Sequence, residues 1–174
     1  MPDVAVVYRS KTGFARKYAG WIAERCSADL LDGKKTTINE LLKYKTIVYG
    51  AGLYAAGING LKLITDNIDK LTDKKLIVFA VGATPVRPEI YDEVKRMNLP
   101  EDKYGKIRFF MLRGGFDFNK LGLVDKFLML LLKAKLKGRR NPTADESGML
   151  AAYSHPLDFT NEKAAEPIIK AILE

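Results

Sequence analysis

The chain has 174 residues, 47% hydrophobic and 29% charged, which suits one globular domain whose core is large enough to need no staples. Its single cysteine, Cys26, excludes an intramolecular disulfide and fits a reducing compartment. The net charge of +8 and pI near 9.5 favour an anionic partner: a phosphate, a nucleic acid, an acidic lipid or an acidic redox protein.

Met1-Pro2-Asp3-Val4 carries no basic n-region and runs straight into an apolar strand, so no secretory leader is expected. The longest apolar run, Phe127 to Leu132, is bounded by lysines and falls far short of the roughly 20 residues of a membrane span. Both features point to a cytoplasmic protein.

In chain order, Val4 to Tyr8 reads as a strand buried on both faces. Phe14, Tyr18, Trp21, Ile22 and Arg25 recur at helical spacing, predicting a helix over Thr12 to Cys26 with Trp21 on its core side. Ala28 to Asp32 suits a short edge strand ended by Gly33, and Ile38 to Leu42 a weak helix. Thr46 to Gly50 is a second buried strand, followed by a Gly/Ala loop from Gly50 to Gly60. Leu61, Ile64, Ile68 and Leu71 keep helical spacing, and Leu76 to Val81 is a third buried strand stopped by Gly82. A helix over Glu89 to Met97 and a strand over Ile107 to Leu112 follow. Two further helices are expected over Leu121 to Leu136 and Asn161 to Leu173, joined by a loose surface stretch, Lys137 to Tyr153. Short, continuously apolar strands alternating with helices predict a parallel sheet covered on both faces.

Ligands of such sheets sit beyond the carboxyl ends of the strands, where strand order reverses. Three loops therefore matter. Arg9 to Arg16 leaves a strand and enters a helix; Ser10 and Thr12 offer hydroxyls, Gly13 allows close backbone approach, and the helix start offers free N–H groups, so the segment can hold a phosphate. A capped helix start with Ser10 or Thr12 as N-cap is the plainer reading of this segment taken alone. In Gly50 to Gly60, Tyr54 stands among small residues and can stack on a planar ring, or the loop is a plain turn with a partly buried tyrosine. Its Gly50-x-Gly52-x-x-Ala55 is a loose dinucleotide fingerprint in the wrong βαβ unit, with Asp69 in a helix terminus instead of ending the next strand. Gly82 to Glu89 holds Pro85 and Pro88, a stiff wall beside a ligand slot.

Together these loops resemble the flavodoxin family. Tyr8-x-Ser10-x-Thr12-Gly13-x-Ala15 is similar to its signature of a strand followed by a Thr/Ser-x-Thr-Gly-x-Thr phosphate loop. The resemblance implies a three-layer sandwich with a five-stranded parallel sheet in the order 2-1-3-4-5, and FMN as cofactor. It places the FMN phosphate at Ser10, Lys11, Thr12, Gly13, Phe14 and Ala15. It places the isoalloxazine ring between Gly52, Leu53, Tyr54, Ala55, Ala56 and Gly57 on one side and Ala83, Thr84, Pro85 and Val86 on the other. Ala15 departs from the usual threonine and removes one hydroxyl contact, which Lys11 or Arg16 can offset. Arg113-Gly114-Gly115-Phe116-x-Phe118 and the following basic helical segment are similar to a branch containing the menaquinone-dependent protoporphyrinogen dehydrogenase. That makes about 116–153 an insertion or extension of the single domain.

Within that insertion Leu121, Val124, Leu128, Leu131 and Leu132 share one stripe, broadened by Phe127, Met129 and Leu130 and crowded by Lys120, Lys126, Lys133, Lys135, Lys137, Arg139 and Arg140. Such a helix over 121–140 can lie on an anionic membrane or contact a quinone. It can also be an ordinary helix on the sheet whose lysines solvate it. His155 is the one histidine and no metal-ligand spacing occurs, so no metal is expected. Cys26 reads as a buried small residue. No catalytic side chain is assigned. The expected function is FMN-dependent electron transfer or oxidoreduction, with a redox partner protein or a small-molecule donor or acceptor, protoporphyrinogen and quinones among the candidates. The rivals are a non-catalytic binding module using its basic surface, and a nucleic-acid binder, disfavoured because the lysines lack interleaved aromatics.

Overall fold

The computed structural model describes residues 3–54, 56–138, 153 and 155–174. Ala55 and nearly all of the loose stretch expected at 137–153 lie outside the described residues.

The first strand β1 (Val4–Arg9) sends alternate side chains to opposite faces. Val6 packs with one hydrophobic cluster, Ala5 and Val7 with the other. The helix α1 (Phe14–Arg25) covers the first of these faces with Phe14, Ala15, Tyr18, Ala19, Ile22 and Ala23. It is followed by β2 (Asp29–Asp32), α2 (Ile38–Leu41), β3 (Thr46–Tyr54), β4 (Gly57–Ile58), α3 (Lys62–Thr65), a 3-10 turn (Ile68–Leu71) and β5 (Lys75–Gly82). Then come α4 (Pro88–Asn98), α5 (Glu101–Tyr104), β6 (Arg108–Arg113), β7 (Gly115–Phe116), a 3-10 turn (Phe118–Lys120), α6 (Leu123–Lys137), β8 (Leu157–Asp158), a 3-10 turn (Glu162–Ala165) and α7 (Glu166–Leu173).

The five long-range strands pair in parallel in the order β2-β1-β3-β5-β6, the predicted 2-1-3-4-5 arrangement. One core cluster lies under α1 and α7, the other under α2, α3 and α4. The chain runs from β1 outward to β2, then crosses back to β3 on the other side of β1, so the crevice between β1 and β3 is the point where strand order reverses. A small antiparallel sheet of β7 and β8, unforeseen because each strand is two residues long, closes the end beyond β6.

Several expectations need correction. The second buried strand does not stop at Gly50. β3 runs on to Tyr54, and β4 turns back against Leu53 and Tyr54 in an antiparallel hairpin, a sixth strand of the sheet. Gly50 is there for closeness: a Cβ at that position would enter the Phe79 ring from β5. The helix read across Leu61 to Leu71 is two short pieces. The last helix begins as the 3-10 turn before α7, with Pro167 in its first turn. Trp21 is half-buried at the edge of its cluster, with the Lys17 ammonium 5.3 Å from its ring. Cys26 is likewise only partly buried, and burial raises its thiol pKa.

Candidate functional site

A cavity of about 630 Å³ opens at the carboxyl ends of β1, β3 and β5. Register explains why the three loops meet there: Arg9 is opposite Ala51, and Gly52 is opposite Val81, so neighbouring strands release their chains side by side.

The first wall is the turn from β1 into α1. Gly13 adopts φ +98°, a conformation that favours glycine. Its N–H donates to the Ser10 hydroxyl at 3.0 Å, and no side chain caps α1. Ser10 therefore folds the turn instead of capping the helix, and the first-turn N–H groups of α1 have no side-chain acceptor. Phe14 and Ala15 are buried and fasten the turn to the core.

The second wall is the β3–β4 hairpin. Tyr49, buried in β3, donates its hydroxyl to the Asn59 carbonyl at 2.8 Å; its burial pushes that hydroxyl up to about 12. Asn98, at the end of α4, accepts from the Ile58 N–H at 2.8 Å and donates to the carbonyls of Ala56 at 2.7 Å and Val94 at 2.8 Å. Each such bond contributes about 1 kcal/mol net; two of them clamp the hairpin at Ala56 and Ile58, and the third ties the Asn98 side chain back to its own helix. Tyr54 stands at the tip with half its surface exposed, its ring 4.5 Å from the Lys11 ammonium.

The third wall is Val81 to Thr84, tied to β6 by the Gly114 N–H donating to the Gly82 carbonyl at 2.7 Å. Tyr18 secures the same end. Its hydroxyl donates to the Arg113 carbonyl at 2.8 Å and accepts from the Asn161 N–H at 3.1 Å, and burial raises its pKa.

The fourth wall is α6. It does not lie on the sheet as an ordinary covering helix. Asp125, Leu128, Met129 and Leu132 recur at helical spacing and, with Leu121 just before the helix, line the cavity. Asp125 pairs with Lys11 across the opening at 2.8 Å. Tyr153 donates to the Met129 carbonyl at 2.6 Å and packs against Phe116 and Phe118 at ring distances of 5.5 and 5.4 Å. The far side of α6 is open: Leu123, Val124 and Phe127 are 87%, 72% and 62% exposed, with Leu130 and Leu131 beside them.

Of the predicted residues, Ser10, Lys11, Thr12, Phe14, Ala15, Gly52, Leu53, Tyr54, Ala56, Ala83 and Thr84 line this one cavity. Gly13 faces a shallow depression on the other side of the turn, with Arg16, Lys17 and Trp21. Gly57, Pro85 and Val86 are not among the lining residues, and Ala55 lies outside the described residues. Sequence reasoning missed Asn59, Ile90, Glu93, Val94 and Phe116 in the lining and Asn98 behind it. The signal for α6 was its second apolar face. Among the described residues no group of three or more His, Cys, Asp or Glu could hold a metal, and no helix is long and apolar enough to cross a membrane.

A doubly wound sheet of this order, with a cavity at the reversal point and a strand–turn–helix connection among its walls, defines a protein of flavodoxin-like architecture. The model of the flavodoxin domain family matches residues 5–143, and the chain belongs to that family. No curated protein matches the chain. Among solved structures, it is similar to the Trp repressor binding protein from Bacillus subtilis, with 14% identity and TM-score 0.50 over 91% of this chain and 99% of that one. It is also similar to the flavodoxin of Megasphaera elsdenii, with 15% identity and TM-score 0.45 over 62% and 84%. A flavodoxin, WrbA-like protein from Agrobacterium tumefaciens gives 18% identity and TM-score 0.47 over 76% and 92%. These likenesses concern the fold.

Family membership makes this an FMN-binding flavoprotein with a redox function. The cavity suits that cofactor. Open space surrounds the position where a Cβ would stand on Gly52, so the backbone there is free to touch a ligand in the cavity. The lining is mostly apolar, as a flavin ring requires, and among the described residues its one cation, Lys11, lies with Ser10 and Thr12 on the turn between β1 and α1.

Proposed function

We propose that the chain is a single-domain FMN-dependent oxidoreductase or electron carrier whose cofactor phosphate sits at Ser10 to Ala15 and whose flavin ring lies between Gly52–Ala56 and Ala83–Thr84. The observation that supports this reading is the convergence of eleven predicted contact residues on one cavity at the strand-order reversal. FMN, when bound, supplies reversible electron and hydride transfer. The chain's part is to bind, orient and exclude water. First-turn N–H groups of α1 and the Ser10 and Thr12 hydroxyls donate to the phosphate. The Tyr54 ring stacks on the flavin, and Leu53, Phe116 and Leu128 keep water from it.

The α6 wall favours a particular kind of acceptor. Leu121, Leu128, Met129 and Leu132 offer an apolar surface opposite the ring pocket, which suits a planar, lipid-soluble molecule such as a quinone or a porphyrinogen. A second reading follows from the outer face of α6. Leu123, Val124, Phe127, Leu130 and Leu131 are exposed beside Lys126 and Lys133, the composition of a helix that lies in an anionic membrane surface. α6 would then divide bilayer from cavity and let a lipid-soluble acceptor pass between them.

Titration of apoprotein with FMN, followed by flavin fluorescence, tests the first reading: saturable one-to-one quenching is expected. A protein that cannot be reconstituted would leave the non-catalytic module as the better account. Cosedimentation tests the second: binding to vesicles of phosphatidylcholine with phosphatidylglycerol, lost in Phe127→Ser/Leu131→Ser.

A further inference from the structure

Lys11 is the one cation among the described residues that line the cavity, and it stands on the phosphate turn itself. Its ammonium does not point freely over that turn. It is drawn sideways to Asp125 of α6 at 2.8 Å and lies 4.5 Å from the Tyr54 ring. Asp125 is the better buried partner, its side chain 14% exposed against 47% for Lys11. The remaining charged lining residue, Glu93, is also an acid. Two carboxylates against one ammonium leave the described lining with a formal charge of −1, although its ligand carries a phosphate. Arg16, the nearest alternative cation in sequence, lies 5.7 Å from the Tyr8 ring and lines the depression on the other side of the turn.

We infer that Asp125 is a positioning residue that weakens retention of the flavin's phosphate by occupying Lys11. The inference rests on the FMN reading above and adds how tightly that site holds its ligand and which part of the ligand sets the affinity. A dianionic phosphate on the Ser10–Ala15 turn competes with Asp125 for one ammonium, and the carboxylate, a side chain's length away, repels it. The neutral donors of the turn then carry most of the phosphate affinity, so the flavin is held chiefly by its ring. Lys11 also links the phosphate turn to α6, so a phosphate that claims Lys11 loosens the helix over the opening.

Riboflavin is the probe that separates this from general packing, because it has the same ring and ribityl chain without the phosphate. In Asp125→Asn, FMN affinity should rise about tenfold, the scale of one charge interaction at close range in partly screened surroundings. Riboflavin affinity should stay within about twofold, and FMN affinity should fall more steeply with salt than in the parent. Asp125→Glu, which keeps the charge, should behave as the parent, and far-UV circular dichroism checks that both variants are folded. Unchanged or weaker FMN binding in Asp125→Asn, or equal gains for both flavins, overturns the inference while leaving the FMN reading intact. A parent protein that binds neither flavin overturns both.

Discussion

The wall of the cavity that comes from the sheet and the wall that comes from α6 are fastened in different ways. The sheet wall is an extension of the core: β3 and β5 continue into it in register, Phe14 and Ala15 anchor the phosphate turn, and Asn98, Tyr49 and Tyr18 satisfy the carbonyls and N–H groups around it. The α6 wall is held at one end by a partly exposed ion pair and midway by Tyr153, with a broad apolar face left open. Exposed pairs contribute less than about 1 kcal/mol, so among the described residues α6 is held by fewer polar contacts than the hairpin. On the proposed reading, the pre-formed half would recognise the cofactor and the α6 half would govern what else can approach.

That contrast can be broken most severely from the sheet side. Gly50→Val forces a branched side chain into the Phe79 ring and should cost about 3 kcal/mol or more, read as a lower denaturation midpoint with an unchanged m-value. Gly13→Asp places a β-carbon at φ +98° and a carboxylate on the anion turn. It should lower FMN affinity about a hundredfold, from strain of about 1–3 kcal/mol plus repulsion, while helical content by circular dichroism stays intact. Asn98→Ala should cost about 2 kcal/mol and speed hydrogen exchange at the Ile58 amide.

The α6 side should respond differently. Leu131→Ser, on the exposed face, should leave the unfolding midpoint within about 0.5 kcal/mol of the parent and yet reduce vesicle binding. The smallest effect concerns acid. Burial works against ionisation of Asp158, but hydrogen bonds from Thr160 and Lys17 outweigh it and hold its pKa at about 2, below the usual 3.8. A folded-state value below the unfolded one adds stability that is complete above about pH 4 and disappears as pH falls towards 2. Because Asp158 and Lys17 are both about half exposed, the contribution is about 0.5 kcal/mol. Asp158→Asn should flatten that part of the pH–stability curve.

The legible parts of this molecule are those where local pattern and tertiary demand agree. Val4 to Tyr8 and Leu76 to Val81 read as buried strands because both their faces meet core, and alternation with helices made the sheet parallel, while the strand order came from the resemblance to flavodoxins. The segment after Gly50 was misread because its glycines suggested a turn, whereas Gly50 answers the ring of Phe79, a contact across strands that no local pattern records. Trp21 sits at helical spacing with core residues but at the edge of their stripe. In the candidate site, the turn at Ser10 to Ala15 stood out by its residue types, and most of it lines the cavity. Asn98 was not, since it lies some 40 positions from the carbonyl it holds. The double apolar face of α6 was visible in the sequence, but that its inner side would close a cavity instead of covering the sheet was not.

The most direct test is a crystal structure of the protein grown with FMN. The account predicts phosphate density at the Ser10–Ala15 turn, with the flavin ring between Tyr54 and Thr84 beneath α6. Flavin found elsewhere on the molecule, or that turn without phosphate while FMN is bound, would contradict it.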